Sequence, residues 1–254
     1  MNDFREQAAE HLRFAGELGV SGLSRDPKWR SRPASSSQLP ASGFQLPASG
    51  DVIQIARSAA EALAAIKKEI GPDCPRCKLA TLGRKQVVFG VGNPDADLMF
   101  VGEAPGGDED IQGIPFVGRA GQLLTKMILA INLERDQVYI ANVIKCRPPG
   151  NRNPEPDEVA ACEPFLKRQL AALRPRMIVA LGKFAAQCLA HEDTPITRLR
   201  GNFRSYEGIQ LMPTLHPAYL LRNPAAKKDA WADLKAVNAA LGRMGIEPPR
   251  PPAG

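Results

Sequence analysis

The sequence predicts an α/β protein with a central parallel sheet flanked by helices and preceded by a disordered N-terminal linker. Two observations predict this organisation. From residue 51 to residue 245, apolar runs of strand length alternate with amphipathic stretches of helix length. In contrast, residues 21–50 are rich in Ser, Pro, Ala and Gly, and the hexapeptide at residues 38–43 recurs at 45–50. Such a segment cannot bury enough apolar surface to offset its ordering entropy.

The individual elements follow in chain order. A first helix is expected over residues 51–70, with Asp51 as its cap and Gly71-Pro72 as its stop. The predicted strands cover residues 98–101, 138–141, 177–181 and 209–212, and the remaining predicted helices cover 119–132, 156–173, 183–190 and 224–243. In parallel sheets, ligands bind at the carboxyl ends of the strands. Residues that follow a predicted strand are therefore candidates for a site.

The segments outside this pattern complete the predicted organisation of the chain. Residues 2–18 have the spacing of a separate amphipathic helix. We therefore divide the chain into an N-terminal helical segment at 1–20, the linker at 21–50, a folded domain at 51–245 and a flexible tail at 246–254.

Composition and charge limit the class of protein. The 254 residues are 44% apolar and 24% charged, as in ordinary soluble proteins. The longest apolar runs are too short to cross a bilayer. The N-terminus lacks the basic segment followed by an apolar segment that is typical of a signal peptide, so we expect a cytoplasmic protein. A formal net charge of +6 is compatible with nucleic-acid binding but does not by itself indicate it.

Five cysteines indicate a possible metal centre rather than disulfides, because the count is odd and no leader is expected. Cys74 and Cys77 form a C-x2-C pair in a polar stretch, and Cys146 and Cys162 could complete a four-thiolate site. Zinc sites usually contain two pairs of cysteines that are close in sequence, so the long spacing between Cys146 and Cys162 favours an iron–sulfur cluster. A zinc site and uncoordinated buried thiols are the alternatives. Cys188, on an apolar helix face, is expected in the core.

Four motifs are interleaved with these cysteines. They read GEAPG at residues 102–106, GIPFVGRAG at 113–121, NVIKCRPP at 142–149 and HPA at 216–218. With them the chain resembles the family 4 uracil-DNA glycosylases, the iron–sulfur branch of the uracil-DNA glycosylase superfamily, from about Cys74 to Trp231. The resemblance implies the three-layer sandwich of that superfamily, uracil-containing DNA (single- or double-stranded) as the partner, and a [4Fe–4S] cluster on Cys74, Cys77, Cys146 and Cys162.

The same resemblance implies residues that hold the base. Uracil in duplex DNA must be flipped out of the stack into a pocket. An amide such as that of Asn142 can accept from uracil N3–H and donate to O4, which cytosine cannot match. Phe116 can stack on the ring, and Gly102 lies beside the base. The alternatives are a turn-forming Asn142 and a core Phe116.

The resemblance also implies that Glu103 and His216 cleave the glycosidic bond. His216 can donate to uracil O2 as negative charge develops there. Glu103 is the candidate for orienting water or stabilising the sugar cation. The alternatives are a structural histidine and a surface carboxylate that caps a turn. No lysine is placed for Schiff-base chemistry, so we expect a monofunctional enzyme that leaves an abasic site and initiates base excision repair.

A basic run from residue 198 to residue 228, which includes Arg200 and Arg222, could contact DNA phosphates or could be a solvated face. Tyr219, Leu220 and Leu221 follow the HPA motif, and either leucine could fill the gap that a flipped base leaves or pack in the core. We expect a monomeric cytoplasmic protein that is associated with the nucleoid. The competing hypotheses are a non-catalytic scaffold with the same fold, a zinc-stabilised nucleic-acid module and an electron-transfer protein.

Overall fold

The computed structural model describes residue 56 and residues 58–246, which lie within one compact unit. The predicted N-terminal helix, the linker and residues 247–254 of the predicted tail lie outside the described residues, so these expectations stay predictions. No helix within the described ranges is long and apolar enough to cross a membrane.

The described residues form a six-stranded sheet in the order β1-β3-β2-β4-β6-β5. Its strands are β1 (Val91–Gly92), β2 (Leu98–Gly102), β3 (Tyr139–Asn142), β4 (Met177–Leu181), β5 (Arg204–Tyr206) and β6 (Ile209–Thr214). The four inner strands run parallel, as predicted. The edge strands β1 and β5 pair antiparallel and were not predicted, because two or three residues are too few to show a hydrophobic period.

Helices flank this sheet, and three short ones (Gly107–Gln112, Ile196–Leu199 and Pro217–Arg222) were not predicted. They are α1 (Ala59–Ile70), α2 (Gly107–Gln112), α3 (Arg119–Leu129), α4 (Pro156–Leu173), α5 (Lys183–Ala190), α6 (Ile196–Leu199), α7 (Pro217–Arg222) and α8 (Lys227–Arg243). Helix α1 begins later than expected, because Ser58 caps it by accepting from the Glu61 N–H at 3.2 Å. The proposed cap Asp51 lies outside the described residues.

The helix predicted over residues 224–243 was wrong at its start. Pro224 opens a separate 3₁₀ turn, Pro224–Ala226, and α8 begins only at Lys227. Proline has no N–H to donate, so it is tolerated at the start of a helical turn and separates this turn from α7.

Two apolar layers cover the faces of the sheet, because successive side chains of a strand point to opposite faces. Met99 and Val101 of β2 pack with α1, α4 and α5. Leu98 and Phe100 of the same strand pack with α3 and α8 on the other face. All five residues of β2 are buried, as expected of a strand covered on both sides.

The strand register brings the ends of the inner strands to one edge. Gly102 pairs with Asn142, and Leu181 pairs with Thr214. His216, two residues after β6, caps α7. The candidate residues of three separate motifs therefore meet at the carboxyl edge of the sheet.

A buried polar network anchors the end of β6. The Asp233 carboxylate accepts from Arg200 Nη2 at 2.5 Å and from Thr214 Oγ1 at 2.7 Å. Arg200 Nη2 also donates to the Asp229 carbonyl. Asp233 is 1% exposed, so its charge depends on these partners. Because Thr214 lies two residues before His216, the network fixes the strand end that carries this histidine.

We predict that Asp233→Ala lowers the free energy of unfolding by about 3–5 kcal/mol, because it leaves the Arg200 guanidinium and the Thr214 hydroxyl without their acceptor. Denaturant unfolding of the variant checks this. The control is Lys228→Ala on the exposed side of the same helix, expected to change stability by less than about 0.5 kcal/mol. Equal stability of the two variants would contradict the anchoring role.

Candidate active site

A cleft of about 380 Å³ opens at the carboxyl edge of the sheet. It brings together the side chains that the sequence assigned to the base and to bond cleavage: Glu103, Phe116, Asn142 and His216. Clefts with few convergent polar groups at this edge are typical ligand sites of α/β sheets. The four residues come from four motifs that are spread over more than a hundred residues, and the fold makes them neighbours.

Asn142 offers an unused amide to this cleft. The residue is 1% exposed, and its Oδ1 has no hydrogen-bond partner among the described residues. A buried polar atom without a partner costs free energy, which a ligand that donates to it would recover. This oxygen is the acceptor expected for uracil N3–H.

Residue 102 must be glycine because the side chains of Asn142 and Phe116 pack directly against it. A Cβ atom on Gly102 would lie 2.4 Å from Asn142 Oδ1 and 2.6 Å from Phe116 Cζ. Any side chain at this position would displace both groups. Gly102 therefore shapes the cleft by having no side chain.

Phe116 is held in an uncommon backbone conformation with φ of 54°. Its carbonyl approaches Gly121 so closely that a Cβ there would lie 1.8 Å from the oxygen. The Glu109 carboxylate accepts from the N–H groups of Gly106 at 3.0 Å and Val117 at 3.1 Å. These hydrogen bonds order the loop that carries Phe116.

His216 presents a neutral imidazole. Its Nδ1 accepts from the Ala218 N–H at 3.1 Å, so the proton of the neutral ring resides on Nε2. Burial, with Arg222 nearby, lowers the pKa of His216 to about 4. The ring centroid lies 5.6 Å from that of Phe116. At physiological pH the residue is a hydrogen-bond donor beside the aromatic ring and carries no charge.

Glu103 contributes a carboxylate to the cleft, which Glu109 also lines. Burial raises the pKa of Glu103 above the ordinary value, and its side chain has no hydrogen-bond partner within the described part of the chain. Its own carbonyl accepts from the Ile144 N–H at 3.1 Å, which fixes the backbone after β2. An unengaged carboxylate of raised pKa is suited to accept a proton from water.

The predicted DNA-contact residues separate into two groups. Tyr219 and Arg222 line the cleft, and Leu221 lines an adjoining one. Leu220 is 1% exposed and packs against the core, which was the alternative for one of the two leucines. The Arg200 guanidinium faces Asp233 and donates to its carboxylate from Nε and Nη2.

One wall of the cleft was not assigned from the sequence. It consists of the loop residues Pro148, Asn151, Arg152 and Asn153. Arg152 donates to the fully buried carboxylate of Glu158 at 2.6 Å, and Arg147 Nε donates to Asn151 Oδ1 at 2.7 Å. The sequence signals for it were the position of the loop after β3 and the motif at residues 142–149, which contains Pro148.

The four candidate metal ligands are free thiols that share one region. Electrostatic interactions link Cys146 with Cys74 and Cys77, and Cys162 with Cys146 and Cys77. Burial raises the pKa of Cys162 to about 11, so this thiol is protonated when it is uncoordinated. Across the described ranges, no three Cys, His, Asp or Glu side chains converge closely enough to hold a single metal ion.

Nitrogen donors lie beside some of these sulfur atoms. Arg84 Nη1 lies 3.1 Å from Cys146 Sγ, and the Lys145 N–H lies 3.2 Å from Cys162 Sγ. Hydrogen bonds to cysteine sulfur are a feature of iron–sulfur sites, so the donor set suits such a group. Cys188 lies apart on α5 and packs against the core, as expected.

Comparison with known proteins identifies the family. Residues 89–235 match the model of the uracil DNA glycosylase superfamily. A type-4 uracil-DNA glycosylase of Archaeoglobus fulgidus is 44% identical over 191 residues, which cover 72% of this chain and 95% of the relative. A type-4 uracil-DNA glycosylase of Thermotoga maritima is 47% identical over 165 residues, or 64% of this chain and 85% of the relative.

A third relative agrees with these two. A type-4 uracil-DNA glycosylase of Sulfurisphaera tokodaii is 46% identical over 188 residues, which cover 70% of this chain and 84% of the relative. The matched residues 89–235 contain every side chain named above as lining the cleft. The chain therefore belongs to the type-4 family of the uracil-DNA glycosylase superfamily.

Proposed function

We propose that this protein removes uracil from DNA by hydrolysing the N-glycosidic bond, and that it leaves an abasic site from which base excision repair proceeds. The observation that carries the proposal is the cleft in which the buried, unpartnered Asn142 amide lies with Phe116 and the neutral His216. The type-4 uracil-DNA glycosylases to which the chain is similar support the same activity.

Recognition of the base follows from the donors and acceptors of the cleft. Asn142 Oδ1 accepts from uracil N3–H, and its amide NH₂ donates to O4. Cytosine reverses this pattern and leaves both groups unpaired, at a cost of a few kcal/mol. Phe116 stacks on the flipped ring, and Gly102 leaves space for it.

Bond cleavage requires negative charge to be stabilised on the leaving uracil. His216 donates its Nε2–H to uracil O2 as charge builds there. A neutral imidazole is a sufficient donor because the buried cleft strengthens the hydrogen bond. Glu103 orients the attacking water and faces the sugar cation as it develops.

DNA is held around the mouth of this cleft. Arg222 lines it on one side and attracts phosphate. Tyr219 is 42% exposed beside the same opening. Leu221, which is half-buried in the adjoining cleft, takes the space in the base stack that the flipped nucleotide vacates.

The proposal includes a [4Fe–4S] cluster held by Cys74, Cys77, Cys146 and Cys162. Four free thiols that interact electrostatically, with Arg84 and the Lys145 N–H donating to sulfur, support it. When bound, such a cluster links the chain segments that carry its ligands and can exchange an electron. The excision chemistry itself is assigned to the residues of the cleft.

The direct test is release of uracil from a labelled oligonucleotide that contains one deoxyuridine. We expect the wild-type protein to release it and His216→Ala to lower the rate by about 10²–10³, because one donor to the leaving group is lost. His191→Ala, in which the histidine stacks on Tyr206 away from the cleft, is the matched control and should retain activity. No release by folded wild-type protein that still binds the DNA would favour the scaffold hypothesis.

Base selection is tested by Asn142→Asp. The carboxylate cannot donate to O4, so kcat/KM for uracil should fall by about tenfold or more and the preference for uracil over cytosine should narrow. Parallel assays on oligonucleotides with each base measure the ratio. Asn132→Asp, the same change at an exposed turn, serves as control. An unchanged base preference in Asn142→Asp would contradict the role of Asn142 in selecting uracil over cytosine.

The cluster is tested by visible absorbance and iron analysis of purified protein. We expect broad absorbance and about four iron atoms per chain. Cys146→Ala should lose the absorbance and much of the thermal stability, whereas Cys188→Ala should keep the absorbance. A colourless protein that contains zinc, or a stable and cluster-free Cys146→Ala, would contradict the assignment.

A further inference from the structure

A lysine with no exposed surface lies directly behind the base-reading asparagine. Lys145 is 0% exposed, and its Nζ donates to the Asn142 carbonyl at 2.7 Å and to Gln169 Oε1 at 2.5 Å. Ionisable side chains are rarely buried without a specific partner, and here both partners of the ammonium are neutral oxygens. Neither the sequence motifs nor the proposed chemistry assigns a role to this side chain.

The Asn142 carbonyl needs such a donor because the sheet ends beside it. The Val143 N–H donates to the Gly102 carbonyl on the β2 side. The peptide bond between Asn142 and Val143 is trans, so the Asn142 carbonyl points away from β2. On that side β1 pairs only with Tyr139 and Ile140. Lys145 therefore donates to Asn142 where a neighbouring strand would otherwise do so.

The lysine is held in place from the other side by α4. Gln169 on this helix accepts from Lys145 Nζ with Oε1 and donates from Nε2 to the Phe89 carbonyl at 3.0 Å. Gln169 is fully buried as well. The contact continues through the backbone, because the Lys145 N–H donates to Cys162 Sγ on the same helix. The end of β3 is thus connected to α4 through both the side chain and the backbone N–H of Lys145.

We propose that Lys145 is a positioning residue for uracil recognition, which fixes the backbone of Asn142 so that its unpartnered amide meets the Watson–Crick edge of the base. This deepens the proposed function and rests on it. The Asn142 Oδ1 atom lies 2.4 Å from the place that a Gly102 Cβ would occupy, so the amide packs against the end of β2 and its position depends on the backbone that carries it. A small displacement of the amide from the base is sufficient to lower the rate of excision substantially.

The test is a double-mutant cycle between Lys145→Met and Asn142→Ala on the uracil oligonucleotide. Methionine keeps the length and removes the donors. We expect Lys145→Met to retain the visible absorbance of the cluster, to lower kcat/KM for uracil at least tenfold and to raise the inhibition constant of free uracil. In the Asn142→Ala background the same substitution should have no further effect. Lys167→Met, an exposed lysine of α4, is the control and should match wild type.

A folded Lys145→Met with wild-type kcat/KM would overturn the proposal. Losses that multiply in the double variant, as a general loss of stability would give, would also overturn it. If Lys145→Met does not fold, Gln169→Leu, which removes one acceptor of the lysine, enters the same cycle and should give a smaller loss that also vanishes with Asn142→Ala. Failure of both variants to fold would assign Lys145 to the core alone and overturn the positioning role.

A crystal structure of Lys145→Met separates this proposal from the proposed function, since it needs no activity. A displaced Asn142 amide would support the positioning role. An Asn142 amide in its wild-type place would contradict it, whether or not the wild-type protein releases uracil. Absence of uracil release by wild type counts against the proposed function instead.

Discussion

The parallel pairing of β2 with β3 on one side and with β4 on the other is the interaction on which the rest of the structure depends. It is stabilised by side chains buried on both faces of the sheet, and it aligns Gly102 with Asn142 at one edge. β6 joins through β4 and carries His216 to the same edge. A shift of one residue in this register would exchange the two faces of a strand, so the apolar pattern and the position of the cleft are fixed together.

The cleft combines polar groups that the protein itself leaves without partners. Asn142 Oδ1 is buried without a donor, His216 keeps Nε2 free because Nδ1 is occupied by a backbone N–H, and Glu103 is partly desolvated. Each is unfavourable for folding on its own, and such costs concentrate at functional sites. Polar contacts elsewhere offset them: Asp233 holds the end of β6, and Glu109 holds the loop that carries Phe116.

Much of the fold could be predicted from the sequence because its inner strands are continuous apolar runs and its long helices have clear boundaries. The predicted bounds of β4, α4 and α5 agree with the structure. The four candidate residues were assigned from the family resemblance, and three of them, Glu103, Asn142 and His216, follow predicted strands. The break at Pro224 and the edge strands were missed, since short elements carry little periodicity. The pairing of Arg200 with Asp233 and the contact of Lys145 with Asn142 join residues through tertiary packing, which no local pattern shows.

The central claim is that this edge of the sheet binds uracil by the complementarity of Asn142, Phe116 and His216 to the base. A crystal structure of the protein with free uracil tests it most directly. We predict uracil stacked on Phe116, with N3–H and O4 at the Asn142 amide and O2 at His216 Nε2. Uracil bound elsewhere, or a cleft that stays empty at saturating uracil, would contradict this account of the site.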